Sequence, residues 1–228
     1  MKMVIFKKSV VMLLLGVLVF TSCGGAKKGG DGKEPKEAAK APESKTIQDD
    51  ELKSFMLGGI YFVHGFGGKA KFDGMITQNG KSPKDVHEAA KFYLIFPFEQ
   101  GQAGVKEMLS GMWEINNKEE LLSTLGELKA HSLESCYTKS WDYARYINLT
   151  CLGYAANYIT KEEGKRMAAE ILLLAQADYK NWDEYYADFV KGRNEWDAEE
   201  TQEKKDFNEL ASTITKGENN VYALFPLN

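Results

Sequence analysis

KSWDYARYINLTCLGYAANYITKEEGKRMAAEILLLAQADYKNWDEYYADFVKGRNEW, residues 139–196, decides the fold. From about Trp141, the residues Ala144, Ile147, Cys151, Tyr154 and Tyr158 recur at spacings of three and four, the period of one helix face. Thr160-Lys161-Glu162-Glu163 is a capping box: the Thr hydroxyl accepts from a backbone N–H of the first turn, and Glu163 reaches back to the cap. Behind it Met167, Ile171, Leu174 and Ala175 form the next apolar face. Asn181-Trp182-Asp183-Glu184 repeats the start signal, and Trp182, Tyr185, Tyr186, Phe189 and Trp196 make a third stripe. Three amphipathic helices in close succession predict a helical bundle.

Upstream, Asn117-Lys118-Glu119-Glu120 opens a helix with Leu121, Leu125 and Leu128 on one side. Ser82-Pro83 supplies a cap and a first-turn proline for a helix running to about Phe96, where Pro97 stops it. Val105, Met108, Leu109 and Met112 predict another. The stretch from Ile47 to Val63 reads as a helix weakened by Gly58-Gly59, and residues 64–81, with five glycines, as a long loop. Downstream, a polar helix is predicted over 199–214, and the apolar tail Val221–Leu227 is expected to dock extended. The fold class is all-α: a single irregular multi-helix bundle of about six to eight helices over residues 46–228.

The N-terminus carries an address. Lys2, Lys7 and Lys8 precede an apolar run, Val10–Phe20, too short to span a bilayer, and Thr21-Ser22-Cys23 places small residues before a modifiable cysteine. Residues 1–22 thus resemble a bacterial lipoprotein signal peptide, with Phe20 where leucine is commonest. The resemblance implies lipidation of Cys23 and a place in the bacterial cell envelope, at the outer membrane where the cell has two. Residues 23–45 then form a tether; beyond Cys23 it has no aromatic or β-branched residue and so cannot offset its ordering entropy by burial. Its typical span would be about 25–30 Å. The chain has 29 Lys and Arg against 33 Asp and Glu, and residues 46–228 alone carry 20 against 29, a net charge of −9. Such an acidic body argues against nucleic acid, whose affinity comes largely from neutralised phosphates.

Several motifs tempt and fail. Ile60–Gly68 resembles a hydrolase strand and oxyanion loop, but no G-x-S-x-G elbow follows. His87-Glu88 begins like a zinc-protease helix, but Lys91 stands at the second ligand position. The three histidines, 64, 87 and 131, show no metal-ligand spacing, so no metal or cofactor is expected; His131 reads as a helix-end residue. Cys136 and Cys151 sit at positions too far apart across a helical hairpin for a disulfide, and two free thiols are predicted. Asn148-Leu149-Thr150 matches a glycosylation sequon but lies within a helix. Asp142 and Arg145, at i and i+3, can form a charge-assisted pair, with Asn148 one turn further on. Buried, the pair either holds helix registry or lines a polar pocket.

From Trp113 to Trp196 the chain resembles the bacterial helical family known as domain of unknown function 1266. The resemblance rests on Trp113 and Ile115, Asp142-x-x-Arg145, Gly153-Tyr154, Tyr158-Ile159-Thr160 before Glu162-Glu163, and Trp182, Tyr185, Phe189, Gly192 and Trp196. Ala130-His131 stands where Gly-His is usual, Asn157 replaces a small residue, and Gly164 replaces alanine. The resemblance implies a helical architecture and no catalytic residues. The function expected is a membrane-anchored binding or protein-interaction module of the envelope, with an envelope protein as candidate partner. The alternative is an enzyme whose polar pocket centres on Asp142, Arg145 and Asn148.

Overall fold

The computed structural model describes residues 47–217 and 220–228. The stretches read as a signal peptide and a tether, and Cys23 between them, lie outside the described residues. Among those described there are eleven α-helices and no strand: α1 (Asp50–Met56), α2 (Gly59–Gly65), α3 (Lys69–Ile76), α4 (Pro83–Leu94), α5 (Val105–Trp113), α6 (Lys118–Lys129), α7 (Lys139–Ala155), α8 (Lys161–Asp178), α9 (Trp182–Trp196), α10 (Gln202–Thr213) and α11 (Val221–Leu224). The all-α expectation holds, and the helix count exceeds the six to eight expected. None of these helices is long and apolar enough to cross a membrane.

The extra helices have local causes. The expected helix over 47–63 breaks at Leu57-Gly58, giving α1 and α2, because Gly58 lies against α7: a Cβ there would stand 2.8 Å from Ile147 Cγ2 and 3.4 Å from the Ala144 carbonyl. The loop expected over 64–81 contains α3. Gly67, Gly68 and Gly80 take positive φ outside the helix, Gly74 is carried within it, and Phe72 and Ile76 supply a buried face one turn apart. The tail expected to be extended begins with one helical turn. Asn220 nucleates it, accepting from the Tyr222 N–H at 2.7 Å and donating to the Ile214 and Lys216 carbonyls.

The predicted caps form. Asn117, Thr160 and Asn181 each accept a first-turn N–H, and Ser82 closes a capping box with Asp85. Glu163 completes the Thr160 box and also accepts from Lys118 of α6 at 2.7 Å. The Lys118 ammonium, then the Thr160 N–H, hold its carboxyl down at about 2. A carboxyl depressed on folding stabilises the fold above its unfolded pKa of about 4.3 and loses that contribution as pH falls toward 2. A carbon-detected NMR titration should show Glu163 still ionised at pH 3.5, while ordinary glutamates are mostly protonated.

Helix α7 is the axis. It is buried almost all round, and α6, α8 and α9 pack on it, with α1 against α8 and α10 against α9. A helix so enclosed contributes side chains in every direction to one core. Two close approaches depend on missing side chains. A Cβ on Gly192 of α9 would collide with Thr138 Oγ1 and stand 3.1 Å from both the Thr138 nitrogen and Trp141 Cβ. Gly192→Ala should therefore destabilise by about 1–3 kcal/mol in chemical denaturation, overpacking outweighing alanine's better helix propensity. A Cβ on Gly164 would stand 2.7 Å from the Phe96 ring, so this close approach too depends on glycine. Asn157 takes φ 62, a left-handed helix-ending position that asparagine tolerates.

Candidate functional site

The α6–α7 junction gathers the chain's polar chemistry. Helix α6 ends in a Schellman motif: the His131 N–H donates to Leu128 O at 3.2 Å and the Ser132 N–H to Glu127 O at 3.0 Å. His131 occupies the left-handed position of that motif, with φ 53, where glycine is cheapest. The chain then returns through residues 132–138 and starts α7 antiparallel to α6. That return places His131 over the first turn of α7, and its Nδ1 meets Asp142 Oδ2.

Asp142 is fully buried and Arg145 is 5% exposed. Asp142 Oδ1 accepts from Arg145 Nη2, so the predicted i,i+3 pair forms inside the protein. The expectation that Arg145 reaches a neighbouring helix is corrected: it reaches the loop, donating from Nη1 to Ser135 Oγ and from Nη2 to the Ser135 carbonyl, both at 3.1 Å. Its guanidinium carbon stacks 3.7 Å from the Trp141 ring centre and stands 5.8 Å from that of Trp113. Within this guanidinium, Nε is left buried without a hydrogen-bond partner. Asp142 is thus a carboxylate in the first turn of α7, where the helix dipole favours it, and Arg145 ties the loop to the helix. Asn148 does not join them. One turn further on it is half-buried, and no hydrogen bond links it to either residue.

Two residues of this cluster escape sequence reading as site residues. His131, expected as a helix-end residue, is one, but it is also a partner of the buried carboxylate. Cys136 is the other. Its Sγ lies 3.8 Å from Arg145 Nη2, and burial, reinforced by the hydrogen bond to Asp142, pushes its thiol up to about 11. Both thiols in the described region, Cys136 and Cys151, are free, as expected. His131 Nδ1 or Nε2, Cys136 Sγ and an Asp142 oxygen lie within 4.8 Å of one another. The spacing-based expectation of no metal-ligand cluster therefore missed a juxtaposition created by the helix reversal. The available signal was the hairpin itself, which brings the end of α6 near the start of α7 without stating which side chains meet.

Beside His131 lies a depression of about 290 Å³, lined in part by Lys129, Lys139, Tyr143 and Asp178. Lys139 pairs with Asp178 Oδ1 at 2.9 Å, and the Tyr143 hydroxyl donates to Oδ2 at 2.7 Å. The other tempting groups serve the fold. His64 stacks on Phe207 in α10, and Ile60–Gly65 is helix rather than hydrolase strand. His87 Nε2 sits 2.7 Å from Asp49, joining α4 to the cap of α1.

The chain is 36% identical to the uncharacterized protein YbeR of Escherichia coli (strain K12) over 62 residues, which cover 27% of this chain and 26% of YbeR. It is 22% identical to the uncharacterized protein YbeU of the same organism, over 58% of this chain and 72% of YbeU. No solved structure matches. The family match starts later than Trp113 and runs beyond Trp196 into the tail, which is consistent with Phe225 accepting from Trp182 Nε1 at 2.7 Å. Residues 127–227, which hold His131, Cys136, Asp142 and Arg145, match the family described as "Protein of unknown function (DUF1266)".

Proposed function

We propose that the protein is a binding domain of the bacterial cell envelope, held to a membrane by lipid on Cys23 and engaging its ligand at the α6–α7 junction. One observation carries the site: a buried carboxylate, Asp142, holds the imidazole of His131 at the edge of the 290 Å³ depression. The histidine sits in a left-handed position that glycine would occupy at less cost, and strain retained at an exposed polar group points to use. With Nδ1 on Asp142 and the side chain 38% exposed, Nε2 is the nitrogen offered to a ligand. The acidic body and the lipobox-like Cys23 support the envelope setting.

Photo-crosslinking in intact cells tests both parts. A crosslinkable residue at 131 should give a discrete product that a probe at exposed Leu173 does not give. Cys23→Ala should leave the membrane fraction and abolish the product. Identical products from both probe positions would reject the site, and a Cys23→Ala protein that still sediments with membranes, with its mobility unchanged, would reject the anchor.

A second reading, an enzyme, draws on the same pair, because a buried aspartate that fixes one nitrogen of a histidine is how a general base is oriented. It replaces the expected centre on Asp142, Arg145 and Asn148 with His131 and Asp142.

A further inference from the structure

We infer that His131, Cys136 and Asp142 form a binding site for a zinc-class divalent transition metal. The three donors are an imidazole nitrogen, a sulfur and a carboxylate oxygen, the mixed set that suits Zn²⁺ and disfavours Mg²⁺ and Ca²⁺, which prefer oxygen alone. They lie within 4.8 Å of one another. Zinc bonds of about 2.0–2.3 Å in tetrahedral array hold such donors roughly 3.3–3.7 Å apart. Closing the cluster on an ion therefore asks Sγ to move inward by about 1 Å and the imidazole to swing slightly away from Asp142. Both belong to the loop end of the hairpin, and His131 has solvent on one side. Asp142, fixed in α7, is the rigid member.

The surroundings are arranged as an outer shell. Arg145 donates to Asp142 Oδ1, leaving Oδ2, the oxygen now facing His131, for the ion. The same Nη2 lies 3.8 Å from Cys136 Sγ, so one guanidinium steadies both anionic ligands without occupying the site. Ligating carboxylates are commonly held this way, and the partner orients the ligand. On binding, the thiol proton passes to water and the thiolate bonds the ion. The neutral imidazole's one proton moves from Nδ1 to Nε2 by exchange with water, which frees Nδ1 to ligate the ion beside Asp142. Three protein ligands leave a fourth position for water. The inference stands on the three donors alone and does not depend on the binding reading above.

The test uses the purified full-length protein. Zn²⁺ should slow alkylation of Cys136, mapped by mass spectrometry, by at least about tenfold, while Mg²⁺ changes nothing and Cys151 serves as the internal reference. Co²⁺ should give a thiolate charge-transfer band that Cys136→Ser abolishes. His131→Asn tolerates the left-handed backbone, so the fold remains measurable. It should weaken Zn²⁺ by more than about 100-fold, beyond what loss of an outer-shell partner costs. Unprotected Cys136 in the parent protein overturns the site whatever the variants do. So does equal protection in the His131→Asn protein.

Discussion

Arg145→Ala is expected to melt about 6–20 °C below the parent. The figure follows from about 3–5 kcal/mol for removing one partner of a buried ion pair and about 2–4 °C per kcal/mol for a domain of this size. Removing the guanidinium leaves the Asp142 carboxylate fully buried with only the His131 imidazole and the Cys136 thiol beside it among the residues of this cluster. It also frees the Ser135 carbonyl and hydroxyl and strips the cation from the Trp141 face. The loss is a large share of the 5–15 kcal/mol by which a domain is typically stable. Asp142→Asn should cost less, since an amide oxygen still accepts from Arg145. Arg145→Lys should not rescue, because an ammonium lacks both the fork that spans Asp142 and Ser135 and the planar face that stacks on indole. Melting curves within 1 °C of the parent for Arg145→Ala would show that the pair is not structural and would move the enzyme reading forward.

The double variant Tyr185→Phe, Tyr186→Phe should lose about 1–5 kcal/mol: Leu57 O loses its tyrosine donor and Met56 O keeps only the longer contact from the Tyr222 hydroxyl at 3.4 Å, with about 1–3 kcal/mol for each carbonyl left unsatisfied. The break between α1 and α2 exposes the carbonyls of Met56 and Leu57, which a continuous helix would have satisfied internally. They are deep in the core. Tyr186 donates to Met56 O at 2.9 Å, and Tyr185 has Leu57 O and Ser140 O both at 3.0 Å. Each substitution keeps the ring and its packing, so the measured loss in urea denaturation isolates the hydroxyls. Additive, near-zero effects would mean that the carbonyls find other donors and that the helix break is supported elsewhere.

These tyrosines show how far local pattern reaches. Tyr185 and Tyr186 are legible as one stripe of α9, because the period of three and four states which residues point inward. Their hydroxyl partners lie about 130 positions earlier and have no local sign. The aromatic excess, legible as composition and compatible with an interface, is mostly core: Trp141, Trp182, Tyr185 and Tyr186 are all buried. The glycine-rich stretch differs from its expected loop for a related reason. Glycine count lowers helix propensity, but α3 forms even with Gly74 in its interior, because burial of Phe72 and Ile76 outweighs that cost.

Caps, apolar periodicity and the spacing of Asp142 and Arg145 were determined by the sequence itself, because each depends on residues within a turn of one another. The all-α class and the start positions of α4, α6, α8 and α9 follow from such short-range geometry. The joining of His131 and Cys136 to Asp142, and the exclusion of Asn148, belong to the tertiary structure. They depend on where a nine-residue return between antiparallel helices sets the chain down, at a left-handed histidine and a loop pinned by Arg145. A reversal converts separation along the chain into contact across it, and its outcome is set by packing on α7 rather than by any spacing that can be counted.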